Sequence, residues 1–466
     1  MRMFLLRSLV IALCLSPRVS SAQEALTPAA IPRIDAAATS VLNSTGAPSA
    51  SIAVVTDGRI VYTHAYGNAR LDPRTPATPA MRYSIGSVSK QFTASGLLLL
   101  AQEHKLTLDD AVGRWLPELT RAGEVRVKNL LSMTSGYQDY WPQDYVMPPM
   151  LHPIAAADIL KAWARKPLDF DPGTKWQYSN TNYVIAGLIL ERITGTPLLQ
   201  FLTSRIFAPL GMTTVSDIDS APLGPGEPER YMRYALGPPR PAPKAGKGWL
   251  FAAGELAMTA EDLARWDISV MDRRVLDPPS YDLLEREVQL ANGVGTGYGL
   301  GVSVGMAGGR RLITHGGEVS GFTTRNDVYP DDRTAIVVFT NLDATDASSQ
   351  IASKTADVVF SLKDPDAAAA LTAVRLMVTG LQEGRIDRAR LTDNLNAYFS
   401  DQALADFKAS LEPLGPPREI TEQAHSLRGG MVFRRFRIRF DAKTVAMSTF
   451  IMPDGRLEQC MVEPVE

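Results

Sequence analysis

The segment from Phe92 to Leu100, with Leu97, Leu98, Leu99 and Leu100 in a row, is apolar nearly all round when wound as a helix. A helix of that kind has no face to give to water, so it belongs in the middle of a domain with other elements packed around it. Its first turn carries Ser87-Val88-Ser89-Lys90. A serine three residues before a lysine puts both side chains on one face, one turn apart. A serine hydroxyl is a weak nucleophile at neutral pH. It needs a base beside it, and a lysine amine serves when burial or a nearby cation lowers its pKa.

Two further polar motifs follow in order. Tyr178-Ser179-Asn180 precedes a second apolar helix, expected from Tyr183 to Thr194 and closed by Gly195. His315-Gly316-Gly317 follows the apolar Ile313-Thr314. Glycines at a strand edge let substrate or another backbone come close. A serine–lysine pair alone is a weak signal, and a histidine before two glycines alone reads as a turn. In this order, the three outline the wall of an active site.

With these motifs in place, the chain resembles the penicillin-recognising serine hydrolases, the group of class C β-lactamases, DD-carboxypeptidases and related esterases. The likeness extends to Tyr83 through Phe92, Leu130 through Gly136, Trp176 through Gly187, Pro209-Leu210-Gly211-Met212 and Tyr298-Gly299-Leu300-Gly301, and covers roughly residues 30 to 360. It implies a β-lactamase/transpeptidase-like α+β fold, with an antiparallel sheet flanked by helices and a helical region. It also implies Ser87 as acylated nucleophile, with Lys90 and Tyr178 sharing the base role. Asn180 would bond the substrate or Lys90. His315, with Gly316 and Gly317 in the substrate wall, would shuttle protons near Tyr178 or bind a carboxylate. The oxyanion hole would be the backbone N–H of Ser87 and of Glu318. Losing one such donor costs about 2.7–4 kcal/mol of transition-state stabilisation.

One departure bears on substrate. Many relatives carry lysine where this chain has His315, a residue mostly neutral at pH 7. That weakens a fixed cation for a substrate carboxylate. An unperturbed imidazole there would give the pH profile a limb near 6.5. Ester or amide hydrolysis is expected, with a cell-wall-type or D-amino-peptide, a small ester or a β-lactam as substrate. The rival is a binding protein with a vestigial site, whose C-terminal domain carries the main role.

The rest of the chain fits around this unit. Ser51–Val55 and Ile60–Ala65 read as a hairpin turning at Asp57-Gly58. Leu108 to Leu116 reads as a short capped helix before Pro117. Pro and Gly crowd 222–248, a loop or lid. Leu300–Val304, Arg311–Thr314 and Ala335–Asn341 read as strands. Gly301-Val302-Ser303-Val304-Gly305 matches a G-x-S-x-G elbow, but its flanks alternate like a strand and lack the strand–turn–helix context that motif needs.

At 466 residues the chain is too long for one ordinary core. The division expected is 1–22, 23–363 and 364–466. The first part has Arg2 and Arg7, an apolar run from Leu9 to Leu15 and a small-residue site ending at Ala22, the pattern of a cleaved export signal. That places the protein in the periplasm or outside the cell, with no stable membrane span. The last part shows helices between Ala368 and Leu411 and then strands, with Phe399, Phe407, Phe436, Ile438, Phe440, Phe450 and Met452 as its core. Its linker around Asp364-Pro365-Asp366 reads as polar and exposed, and its partner is open. Arg435, Arg437 and Arg439 alternate with that core as a solvated strand face.

A net charge of −2, from 48 basic and 50 acidic residues, gives no footprint for nucleic acid. Five scattered histidines without H-E-x-x-H give no metal motif, and neither metal nor cofactor is expected. Once Cys14 leaves with the signal, Cys460 has no partner for a disulfide.

Overall fold

The computed structural model describes Leu26 and residues 30–465, apart from Asp144 and Pro365. The expected export signal lies outside the described residues. Strand Ser49–Thr56 explains the architecture. Every residue in it is buried, because both of its faces are covered. Alternate side chains point to opposite faces of a strand. Ala53 and Val55 join one hydrophobic core, while Ile52 and Val54 join another. The facing strand Thr334–Thr340 divides the same way: Val337 and Phe339 go to the first core, Ile336 and Val338 to the second.

These two strands sit inside a seven-stranded antiparallel sheet. Its order is Arg74–Pro76, Arg59–Leu71, Ser49–Thr56, Thr334–Thr340, Phe322–Tyr329, Arg310–Val319 and Ser303–Ala307. Helices Ile31–Thr45 and Ala347–Lys363 pack together over the second core. The other face meets the helical region, including Lys90–Gln102, buried from Lys90 through Leu100 as its composition requires. Helix Asn180–Thr194 packs against it and ends at Gly195, whose φ of 66° is left-handed. The hairpin turning at Asp57-Gly58 is present. Among the described residues no single helix is long and apolar enough to cross a membrane.

Two expected elements are corrected and one is added. The helix expected over 108–116 reduces to a single 3₁₀ turn, Val112–Arg114. Val112 and Gly113 donate instead to Val125 and Ala122, which ties the segment to the next loop. The strand expected at Leu300–Val304 starts at Ser303 and runs to Ala307, because Gly301, at φ 82°, breaks the extended run. Ser303 thus opens a strand and is no nucleophile elbow. Strand Phe322–Tyr329 escaped the pattern because Arg325, Asn326 and Asp327 interrupt it. Partners compensate: Asn326 Nδ2 donates to Asp267 at 3.0 Å, and Thr314 Oγ1 to Asp327 at 2.6 Å. The 222–248 segment is irregular apart from a two-residue ladder, Tyr231–Met232 with Arg240–Pro241.

A third core lies in the C-terminal part. Helices Ala367–Glu383, Asp393–Tyr398 and Asp401–Leu411 accompany a four-stranded antiparallel sheet in sequence order, from Glu419–Arg428 to Leu457–Pro464. Phe399, Phe436, Ile438 and Phe440 are in that core, and Phe407 packs on it. Phe450 is not. It pairs with Phe433 across the ladder, on the opposite parity from Phe436 with Met447, and the two rings lie 5.2 Å apart on the other face. Met452, just past its strand, is half-buried.

The linker is also less free than its polarity suggested. Asp364 lies 2.6 Å from Arg434 Nη1, and Glu422 lies 2.9 Å from the same nitrogen. The Arg434 side chain is 3% exposed. Removing one partner of a buried ionic cluster leaves uncompensated charge, at about 3–5 kcal/mol. Arg434→Met should therefore lower the unfolding free energy by about that amount, read by circular dichroism in urea. Arg418→Met, which strips an exposed pair with Asp441, should move the midpoint far less.

Candidate active site

The 3₁₀ turn Gly86–Ser89 feeds directly into helix Lys90–Gln102, so Ser87 and Lys90 share one face. Lys90 is fully buried, and its three donor directions are all taken. Nζ lies 2.9 Å from Ser87 Oγ, 2.8 Å from Asn180 Oδ1 and 2.8 Å from the Ala253 carbonyl. Burial pulls its pKa down to about 7, against the opposing pull of the Asp139 carboxylate. Once neutral, the amine keeps two N–H groups for Asn180 and Ala253 and turns its lone pair to the Ser87 hydroxyl. That is the geometry of a general base.

Tyr178 reaches the same point from the extended segment before helix Asn180–Thr194. Its ring centroid lies 5.0 Å from Lys90 Nζ. Burial raises the phenol well above its ordinary value, although a hydrogen bond with Ser87 works the other way. The phenol is therefore a proton carrier at neutral pH, and Lys90 is the group that titrates near it.

The third motif forms the opposite wall. Strand Arg310–Val319 runs along the turn that holds Ser87. A Cβ on Gly317 would lie 2.0 Å from the Ile85 carbonyl, and one on Gly86 would lie 2.9 Å from the Glu318 nitrogen. Only glycines admit this approach, which sets the Glu318 N–H beside the nucleophile's turn. Glu318 Oε1 accepts from the Ala344 N–H at 2.9 Å.

His315 has both ring nitrogens engaged. Nδ1 bonds the Gly316 carbonyl, which can only accept, so Nδ1 carries the proton. Nε2 then accepts from the Tyr298 hydroxyl at 3.0 Å. Burial, with the Lys90 charge, pushes its pKa down to about 4. A shuttle or carboxylate-binding role would require one of these bonds to break, and burial moves the imidazole below the neutral range expected of it.

Three contributors were missed in the sequence. Asp139 accepts N–H bonds from Asn180 at 2.9 Å and Trp141 at 3.2 Å. Ala253 acts through its carbonyl, which leaves no side-chain signal, and Tyr298 acts through His315. Of these, Asp139 had a cue: it follows the Leu130–Gly136 stretch by three residues, a lone acid among Tyr137, Tyr140 and Trp141. The cleft has a volume of about 540 Å³ and is lined by Ser87, Asp139, Trp141, Tyr178, His315 and Glu318 among others. Its described lining contains no lysine or arginine.

Two groups of metal-capable side chains converge elsewhere: Asp364 with Glu422 and His425, and Asp217 with Asp219 and Glu255. Arg434 already neutralises the first. Neither contains a residue of the Ser87 cluster.

Fold and site define a β-lactamase/transpeptidase-like protein. The Beta-lactamase family model matches residues 34–358. The chain belongs to that family, the penicillin-recognising serine hydrolases whose motifs it resembles. A D-aminopeptidase of Brucella anthropi is 30% identical over 323 residues, a match spanning 68% of this chain and 60% of that relative, less than two thirds of its length. The crystal structure of a D-stereospecific amidohydrolase from Streptomyces sp. superposes with a TM-score of 0.59 at 26% identity, covering 68% of this chain and 96% of that one. An octameric penicillin-binding protein homologue from Pyrococcus abyssi has a TM-score of 0.60 at 19% identity. It covers 94% of this chain and 96% of its own, a likeness of fold.

The pH dependence follows from these groups. A fluorophosphonate should label Ser87 with a rate that rises through about pH 7 as Lys90 loses its proton. His315→Gln should leave that limb in place. A limb that disappears with the imidazole would assign the titration to His315.

Proposed function

We propose that the protein is an acyl-transfer hydrolase that cleaves an amide next to an N-terminal D-residue. The observation that carries this reading is Lys90, a buried amine held between Ser87, Asn180 and Ala253. Ser87 Oγ attacks the carbonyl carbon and gives its proton to neutral Lys90. The N–H groups of Ser87 and Glu318 stabilise the oxyanion. The C–N bond then breaks as the leaving amine takes a proton by way of Tyr178, leaving an acyl-Ser87 ester. Water, deprotonated by the same pair, adds to that ester, and Ser87 leaves with its proton restored. Gly316 and Gly317 form the wall along which the substrate lies.

The charge of the cleft supports the substrate class. Its described lining carries the carboxylates Asp139 and Glu318 and no lysine or arginine. That field favours a substrate with a free ammonium over one with a free carboxylate. The D-aminopeptidase and the D-stereospecific amidohydrolase among its relatives agree with this. We further propose that residues 23–363 form the hydrolase unit and 364–466 an accessory one, and that the N-terminal pattern directs export.

The test is a substrate panel on the purified chain. D-amino-acid p-nitroanilides with a free amine should be cleaved at least about tenfold faster than their N-acetyl forms, since about 1.4 kcal/mol of charge recognition gives that ratio. Equal rates, or a preference for a chromogenic cephalosporin, would displace the substrate assignment. Ser87→Ala should abolish turnover without loss of fold, and mass spectrometry should place the fluorophosphonate adduct on the peptide holding Ser87. An adduct on Ser303, or no labelling at all, would overturn the mechanism.

A further inference from the structure

Asn180 stands between two groups with opposite demands. On one side is Lys90, whose amine has only donors to offer it; on the other is Asp139, whose carboxylate has only acceptors. Asn180 Oδ1 lies 2.8 Å from Lys90 Nζ, and its Nδ2 lies 3.3 Å from Asp139 Oδ2. The other Asp139 oxygen accepts the backbone N–H of Asn180 at 2.9 Å and that of Trp141 at 3.2 Å. Asn180 is also the first residue of helix Asn180–Thr194, whose Ser179 cap makes no side-chain hydrogen bond. Asp139 therefore takes the place of the missing cap and meets the positive end of the helix dipole.

We propose that Asp139 is the positioning residue of this site: its carboxylate fixes Asn180 so that the amide oxygen, and not the amide nitrogen, faces Lys90. An amide has no intrinsic preference between its two orientations when a neighbour can both donate and accept. A carboxylate cannot donate, and neither can the Trp141 carbonyl, 3.5 Å from the same Nδ2, so the nearer and charged Asp139 leads a pair of acceptors that leaves one orientation. The inference rests on the acyl-transfer reading above for its catalytic consequence, but the arrangement itself is independent of substrate.

Asp139 also provides the charge against which Lys90 titrates. The groups facing Lys90 come from four elements: Tyr178 from the extended segment, Tyr183 from helix Asn180–Thr194 with its ring 5.6 Å from Nζ, His315 from strand Arg310–Val319, and Asp139 from the loop after Gly136. Burial holds both phenols protonated at neutral pH. Burial also keeps His315 uncharged there. Asp139 is itself raised by burial, opposed by the Trp141 and Asn180 N–H groups and by Lys90, and it faces Tyr140 and Tyr178 as well.

The experiment compares Asp139→Asn, Asp139→Glu and Asn180→Ala in the full chain. The rate of Ser87 labelling by a fluorophosphonate is followed against pH, and the Lys90 ε-carbon is titrated by ¹³C NMR. Asp139→Asn, which is isosteric but can donate, should slow labelling at the plateau by about 100-fold, the scale of a misplaced catalytic group. Its acid limb and the Lys90 titration should both move to lower pH by about one unit. In an Asn180→Ala background the same change should add little to the plateau loss, while the limb still moves.

Asp139→Glu keeps the charge and should keep the limb. An Asp139→Asn enzyme with the wild-type rate and an unmoved limb overturns the proposal, as do plateau losses that multiply with those of Asn180→Ala. If Asp139→Asn does not fold, a shifted limb in Asp139→Glu has the same force. If wild-type Ser87 fails to label, the hydrolase reading falls by itself. The proposal is then decided by the Lys90 titration, which an unchanged Asp139→Asn spectrum would overturn.

Discussion

Taking the Lys90 amine out of water costs several kcal/mol as a cation, and the site is organised around that cost. The protein neither leaves the charge unpaired nor cancels it with a direct ion pair. Three acceptors surround the amine, while the nearest carboxylate is set back behind Asn180. A carboxylate in direct contact would stabilise the cation and leave no base at neutral pH. With no carboxylate nearby, the amine would titrate lower still and be a weaker base. The intermediate placement leaves Lys90 near pH 7, where a general base is most effective.

The fold provides the dry environment this needs. Lys90 lies in a helix buried on all sides, and Tyr183 and Tyr178 close over its amine at 5.6 and 5.0 Å. The strand with His315 completes the wall. Because Nδ1 of His315 is committed to the Gly316 carbonyl and Nε2 to Tyr298, the imidazole acts as a fixed brace. With a neutral brace where many relatives carry lysine, the described lining of the cleft holds no lysine or arginine.

That Ser87, Lys90, Tyr178 and the Gly316-Gly317 pair belong together was legible in the sequence, because each is a side-chain identity at short spacing on a recognisable element. The buried helix and the central strands were legible because their apolar patterns are unbroken. Strand Phe322–Tyr329 was hidden, since its polar residues are satisfied by Asp267 and Thr314, far off in sequence or on another strand. Asp139 and Ala253 were hidden for a related reason: one works through another residue's amide and the other through its backbone. The tautomer of His315 depends on a tyrosine seventeen positions away, and no local pattern encodes it.

The pairing of Ser49–Thr56 with Thr334–Thr340 joins the two ends of the hydrolase fold. The Ser49 N–H reaches Asn341 Oδ1 across 292 positions of chain. Closing so large a loop is slow compared with forming a hairpin or a helix. The turn that bears Ser87 and the strand that bears Glu318 are likewise far apart in sequence and packed directly on one another. During synthesis, therefore, a ribosome must move well past residue 340 before the emerging polypeptide holds a complete catalytic centre.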